Sequence, residues 1–182
     1  MKFRKIYANR LIRKSLQNLF LLLSWGLPIL TTAQTVNLAT VKLNNVISTQ
    51  INLNPLKKLI EIDSIVPIPN LMDMSVADSL VYVGSSYFEY YKSENMCYSR
   101  VIIFDEKIKT VSIGSQIIDK TLEFPDLKQI YPLATLSKKP IKIMGDDLEY
   151  YTCRIQIEDS DNYLVFFFSE NRLKRIDIWE PS

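Results

Sequence analysis

Histidine is missing altogether, glycine occurs only four times and cysteine twice in 182 residues, and the first sixty residues hold no Asp or Glu. Each shortage excludes something. Without an imidazole, Ser-His-Asp and Cys-His catalysis, His-ligated zinc and His-based proton shuttling cannot operate. Gly26, Gly84, Gly114 and Gly145 stand too far apart to build a phosphate-binding loop or a dinucleotide fingerprint, so no cofactor is expected.

The acid-free stretch is basic first and apolar second. Lys2, Arg4, Lys5, Arg10, Arg13 and Lys14 precede the apolar run from Leu19 to Leu30, and Thr31-Thr32-Ala33-Gln34 follows. This is the three-part layout of a secretory signal peptide, and it predicts a leader over residues 1–33 cut next to Ala33. The rival reading is a membrane anchor. The apolar run has twelve residues, whereas a spanning helix needs roughly 20, and Pro28 near its end suits a chain leaving helix. The expected location is therefore outside the cytoplasm: periplasm, cell surface or medium. An uncleaved leader would be the only tie to a membrane.

Removing the leader's six cations leaves 16 Lys+Arg against 20 Asp+Glu, a formal charge of −4. A mildly acidic domain with no basic run lacks the counter-charge that gives nucleic-acid binders their affinity, so nucleic acid is excluded as the main partner. The 149 residues from Gln34 onward suffice for one core.

Residues 34–69 read as a lead-in and linker, with one strand among the irregularly spaced apolar residues of Val36–Ile51, a short helix opening at Asn54-Pro55, and a break at Val66-Pro67-Ile68-Pro69. Residues 70–182 read as an α+β domain: a helical turn at 72–79, strands over 80–92, 97–104 and 108–114, a helix over 121–131, and strands at 141–144, 148–158, 163–169 and 173–179. The expected fold is α+β, with antiparallel sheets of about six to seven strands and two or three short helices. Val101–Ile113 and Phe166–Ile178 match when slid by 65, which suggests two tandem helix-plus-hairpin units. Such units resemble, in architecture only, small envelope and inhibitor proteins built from duplicated α/β modules.

Few residues suggest chemistry. Asp146, Asp147 and Glu149 form the densest acidic cluster, the kind of pair glycoside hydrolysis needs, yet Gly145-Asp146-Asp147 is ordinary turn composition. Asp159, Asp161 and Asn162 start like a calcium loop, and Glu170 falls at its position twelve, but Leu164 stands where its glycine at position six is needed. No catalytic or metal site is expected. Lys109 and Lys174 read as lysines at the rim of the core, and Phe166, Phe167 and Phe168 as core. Cys97 and Cys153, in an oxidising compartment, predict a disulfide closing a fifty-seven-residue loop, for which loop entropy sets a ceiling of roughly 4 kcal/mol.

Ten Tyr and eight Phe are many for this length. Tyr87, Glu89 and Tyr91 share one strand face by period-two alternation, and Tyr87, Tyr91, Tyr98 and Tyr150 are the expected binding residues, since tyrosine combines ring area with a hydrated hydroxyl. The resulting expectation is an exported, non-catalytic interaction domain that binds a protein or envelope component, of inhibitor or immunity type. The alternatives are a carboxylate-based extracellular hydrolase and a structural component of envelope assembly.

Overall fold

The structure, a computed structural model, describes residues 34–68, 77–143 and 148–181. Gln34–Ser182 forms one compact unit. Its first part holds β1 (Thr35–Val36), a 3-10 turn, β2 (Val41–Leu43), β3 (Ile47–Ser48), β4 (Gln50–Asn52), α1 (Leu53–Leu59) and β5 (Ser64–Pro67). Then come β6 (Ser79–Val83), β7 (Ser86–Tyr91), β8 (Met96–Ile103), β9 (Thr110–Ile113) and β10 (Gln116–Asp119). α2 (Phe124–Ile130) and a second 3-10 turn lead to β11 (Lys139–Ile141), β12 (Tyr150–Ile157), β13 (Tyr163–Ser169) and β14 (Arg172–Trp179).

Two-residue turns set this pattern. Gly84 and Gly114, each with φ of 59°, open the Gly-Ser turns that join β6 to β7 and β9 to β10, the positive φ that a type II′ hairpin requires at its first central residue. Asn44-Asn45 and Glu170-Asn171 have positive φ at both central positions, the type I′ arrangement, and join β2 to β3 and β13 to β14. α2 is started by reciprocal bonds between Glu123 and Asp126, and Pro132 follows its end.

The larger sheet has ten strands in the order β1-β12-β13-β14-β8-β7-β6-β5, with β11 also beside β12 and β4 beside β8. Only the β1–β12 pair is parallel among its described pairings. The smaller, antiparallel sheet runs β10-β9-β2-β3. One hydrophobic core joins them: Val81, Phe88, Phe166, Phe168 and Ile176 from the larger sheet meet Val41, Leu43, Val111 and Ile118 from the smaller, with Leu56 of α1 and Leu127 of α2.

The fold is therefore mostly β, which corrects the α+β expectation of six to seven strands. Two causes account for the difference. The Gly84-Ser85 turn divides the apparent strand 80–92 into β6 and β7, and Gly114-Ser115 adds β10 after β9. Residues 34–68, read as a lead-in with one strand, contribute five short ones, of which β1, β2 and β4 have partners far along the chain. The tandem-unit reading also fails: β13 and β14 form a hairpin, whereas β8 and β9 lie in different sheets. The leader over 1–33, most of the helical turn at 72–79 and the Gly145-Asp146-Asp147 turn fall outside the described residues.

Candidate functional site: the outer face of the larger sheet

Opposite the core, the larger sheet carries side chains selected by parity and by two bulges. On β7, Tyr87, Glu89 and Tyr91 line one hollow, as alternation requires. On β8 the register steps from Ser99 opposite Phe88 to Val101 opposite Tyr87, so Arg100 is an extra residue. A bulge of this kind re-aims side chains, and here Arg100 and Val101 both line the outer hollow while Ile102 enters the core. On β14 the register steps from Leu173 opposite Phe168 to Arg175 opposite Phe167, leaving Lys174 as the extra residue. Arg175, Asp177 and Trp179 then alternate with the core residues Ile176 and Ile178.

These side chains hold one another in place. Arg100 pairs with Glu89 at 2.7 Å and with Glu180 at 2.8 Å. The Tyr91 hydroxyl donates to Glu89 (3.1 Å), and that of Tyr98 donates to Glu94 (2.9 Å). Arg175 grips both oxygens of Asp177 at 2.5 Å and lies 5.0 Å over the Phe167 ring. Phe167 is 7% exposed and Val101 4%, yet neither belongs to the main core; they form the floor of this face. Tyr163 sits between Trp179, at 5.9 Å and 34°, and the Arg154 guanidinium, 4.7 Å over its ring. Two hollows of about 320 and 310 Å³ share Asp177 and Trp179, which makes one trough reaching from β7 to Lys139 and Ile141 on β11.

Burial sets the electrostatics. It raises the Asp177 carboxyl against the pull of Arg175, and raises the hydroxyls of Tyr87 and Tyr91. For Tyr98 the main cause of a raised pKa is the bond to Glu94. Burial works against the Arg100 charge, and the bonds to Glu180 and Glu89 more than restore it.

Of the expected binding residues, Tyr87, Tyr91 and Tyr98 lie half-buried on this face, with Tyr91 and Tyr98 edge to face at 5.3 Å. Tyr150, 9% exposed and edge-on to Phe167, lines neither hollow of the trough. Phe166 and Phe168 are core, while Phe167 points to the outer face. Lys174 is an exposed bulge residue, and Lys109 is exposed before β9.

The expected disulfide is not formed: Cys97 and Cys153 are free and buried. β13 and β14 lie between their strands, and three strand spacings amount to about 14 Å measured along the sheet, beyond the reach of one S–S bond. Burial pushes both thiols up to about 11, so they behave as small apolar side chains. Asp159, with φ of 56°, is a turn residue, and no group of three or more His, Cys, Asp or Glu among the described residues could hold a metal. Glu149 is exposed; Asp146 and Asp147 lie outside the described residues.

The sequence reading missed Arg100, Tyr163, Arg175, Asp177 and Trp179. The alternation Arg175-Ile176-Asp177-Ile178-Trp179 could have revealed three of them, but the bulge that delivers Arg100 has no glycine or proline to announce it. A second concavity, a cleft of about 690 Å³, is lined by Lys120, Arg172 and Lys174 among others. No family model, curated protein or solved structure matches the chain, so function has to be argued from these surfaces.

Proposed function

We propose that the chain is an exported binding domain, without chemistry of its own, that holds a protein or envelope component on the outer face of its larger sheet. One observation carries this reading: the trough concentrates Tyr, Trp and Arg, the side chains that dominate binding energy at interfaces, and fixes them by ion pairs and ring contacts before any ligand arrives. Such pre-ordering lowers the entropy cost of binding. The leader supports export, and the compact unit starts at Gln34, where cleavage next to Ala33 would leave the new terminus. No helix among the described residues is long and apolar enough to cross a membrane.

The hydrolase alternative is disfavoured by how the trough's acids are engaged. Both oxygens of Asp177 are held by Arg175, and Glu89 and Glu180 share Arg100, so among the described residues no free acid-base pair faces the trough. Assembly by strand addition is disfavoured at the β5 edge. Ile68 N–H donates to the Asp78 carbonyl, which turns the even-numbered residues toward β6 and places Pro67, with no N–H, on the free side.

The test uses Tyr91→Ala and Trp179→Ala. Each should leave thermal stability nearly unchanged and weaken capture of an envelope partner by at least ~1 kcal/mol, roughly fivefold. Wild-type capture by both variants would remove this face from the function.

A further inference from the structure

Resting on that reading, we propose that the trough takes a neutral oligosaccharide, with one sugar ring on Trp179 and its hydroxyls on the paired Arg100–Glu89–Glu180 and Arg175–Asp177 side chains. Charge is the first reason. Around Trp179, Arg100 and Arg175 are already matched by Glu89, Glu180 and Asp177; of the other cations that line the trough, Arg154 is engaged with the Tyr163 ring and Lys139 stands at the far β11 end. A charged ligand seated beside Trp179 would have to break these pairs. A neutral, hydroxyl-rich one leaves them intact and uses their remaining donors and lone pairs, since a guanidinium has five N–H groups and a carboxylate about four acceptor positions.

The second reason is the ring platform. Trp179 is 47% exposed, and Tyr163 with Arg154 behind it fixes the adjoining wall. Sugar rings present flat C–H faces, for which an aromatic ring flanked by polar groups is a suitable seat. The third reason excludes the main competitor. β7, β8, β14, β13 and β12 each pair with neighbours on both sides, so the trough floor offers little free backbone to an extended peptide, which ordinarily binds a sheet through its edge.

The experiment is calorimetric titration of the protein isolated from its host with tetrasaccharides of glucose, mannose, xylose and N-acetylglucosamine, alongside an acidic tetrasaccharide of galacturonic acid. At least one neutral sugar should bind saturably and quench tryptophan emission. Trp179→Ala should weaken that binding tenfold or more at unchanged melting temperature, Trp179→Phe should restore most of it, and Arg172→Ala with Lys174→Ala should have no effect. The proposal is overturned if no neutral sugar binds, if Trp179→Ala binds like wild type, or if only the acidic sugar binds and the Arg172 and Lys174 changes abolish it, which would place the ligand in the basic cleft. No sugar binding, together with loss of a captured protein partner in Trp179→Ala, would remove the glycan and leave the binding face. Loss of neither would remove both.

Discussion

Val101–Ile113 and Phe166–Ile178 have nearly the same pattern of apolar, acidic and basic residues, and they fold differently. The second is a hairpin within the larger sheet; the first is a corner that carries the chain from β8 into the smaller sheet. The hairpin is made locally, by Glu170 and Asn171 with φ of 52° and 64°, whose twist matches paired strands. The corner is made by distant residues. Asp105 accepts from the N–H groups of Lys107 (2.8 Å), Ile108 (2.9 Å) and Ser85 (2.7 Å), Lys107 reaches Asp63 (2.6 Å), and Asn44 accepts from Lys109 N–H (2.8 Å). Hydrophobic pattern places residues inside or outside, while the turn decides which sheet they enter.

The largest effect should come from Asp105→Ala, which strips one acceptor from three backbone donors and should cost about 2–4 kcal/mol. The matched change in the hairpin, Glu170→Ala, alters an exposed side chain and should cost under ~0.5 kcal/mol. Urea denaturation compares them, and equal losses would end the contrast. The same corner predicts a pH dependence. Burial works to raise the Asp105 carboxyl, but its three N–H bonds outweigh this and hold it below the ordinary value; Asp63 is held low chiefly by Lys107. Lowered folded-state pKa values mean stability that is complete above the unfolded value of about 3.9 and is lost as pH falls through the folded one. Acid titration of stability should therefore be steeper for wild type than for Asp105→Asn.

A smaller difference should separate the two Gly-Ser turns. An added Cβ at Gly84 would lie 2.0 Å from the Asp105 carboxylate, whereas one at Gly114 would meet nothing within 4 Å. Gly114→Ala carries only the left-handed backbone cost of about 1–2 kcal/mol; Gly84→Ala adds displacement of the corner's acceptor and should cost about 1 kcal/mol more. Comparable melting temperatures for the two variants would show that Asp105 moves aside freely. Smallest of all, replacing Glu170-Asn171 by Asn-Gly should stabilise the hairpin by about 0.5–1 kcal/mol. A loss of stability in calorimetry would mean that the turn is not the local device described.

What was legible in the sequence were the elements with local causes. Alternation located β8, β12, β13 and β14, and Pro132 closed α2. Gly84-Ser85 and Gly114-Ser115 are equally local signals and were available to a stricter turn reading. Strands of two or three residues such as β1 and β4 have too few side chains to show a period, and only their distant partners define them. The candidate site was half legible for the same reason: Tyr87, Glu89 and Tyr91 follow from alternation, while Arg100 depends on a slip in pairing between β7 and β8.

The parallel pairing of Thr35 with Gln156 and of Val36 with Ile157 bears on the order of assembly. A chain growing from its amino end carries β1 with no strand to join until some 120 residues later, and the β2–β3 hairpin waits some 70 residues for β9. Pairings so distant in sequence form late, because loop closure has to precede them. Thr35 and Val36 thus stay without their sheet partner through most of synthesis, which is what the proposed cleavage next to Ala33 would require of the chain beside it.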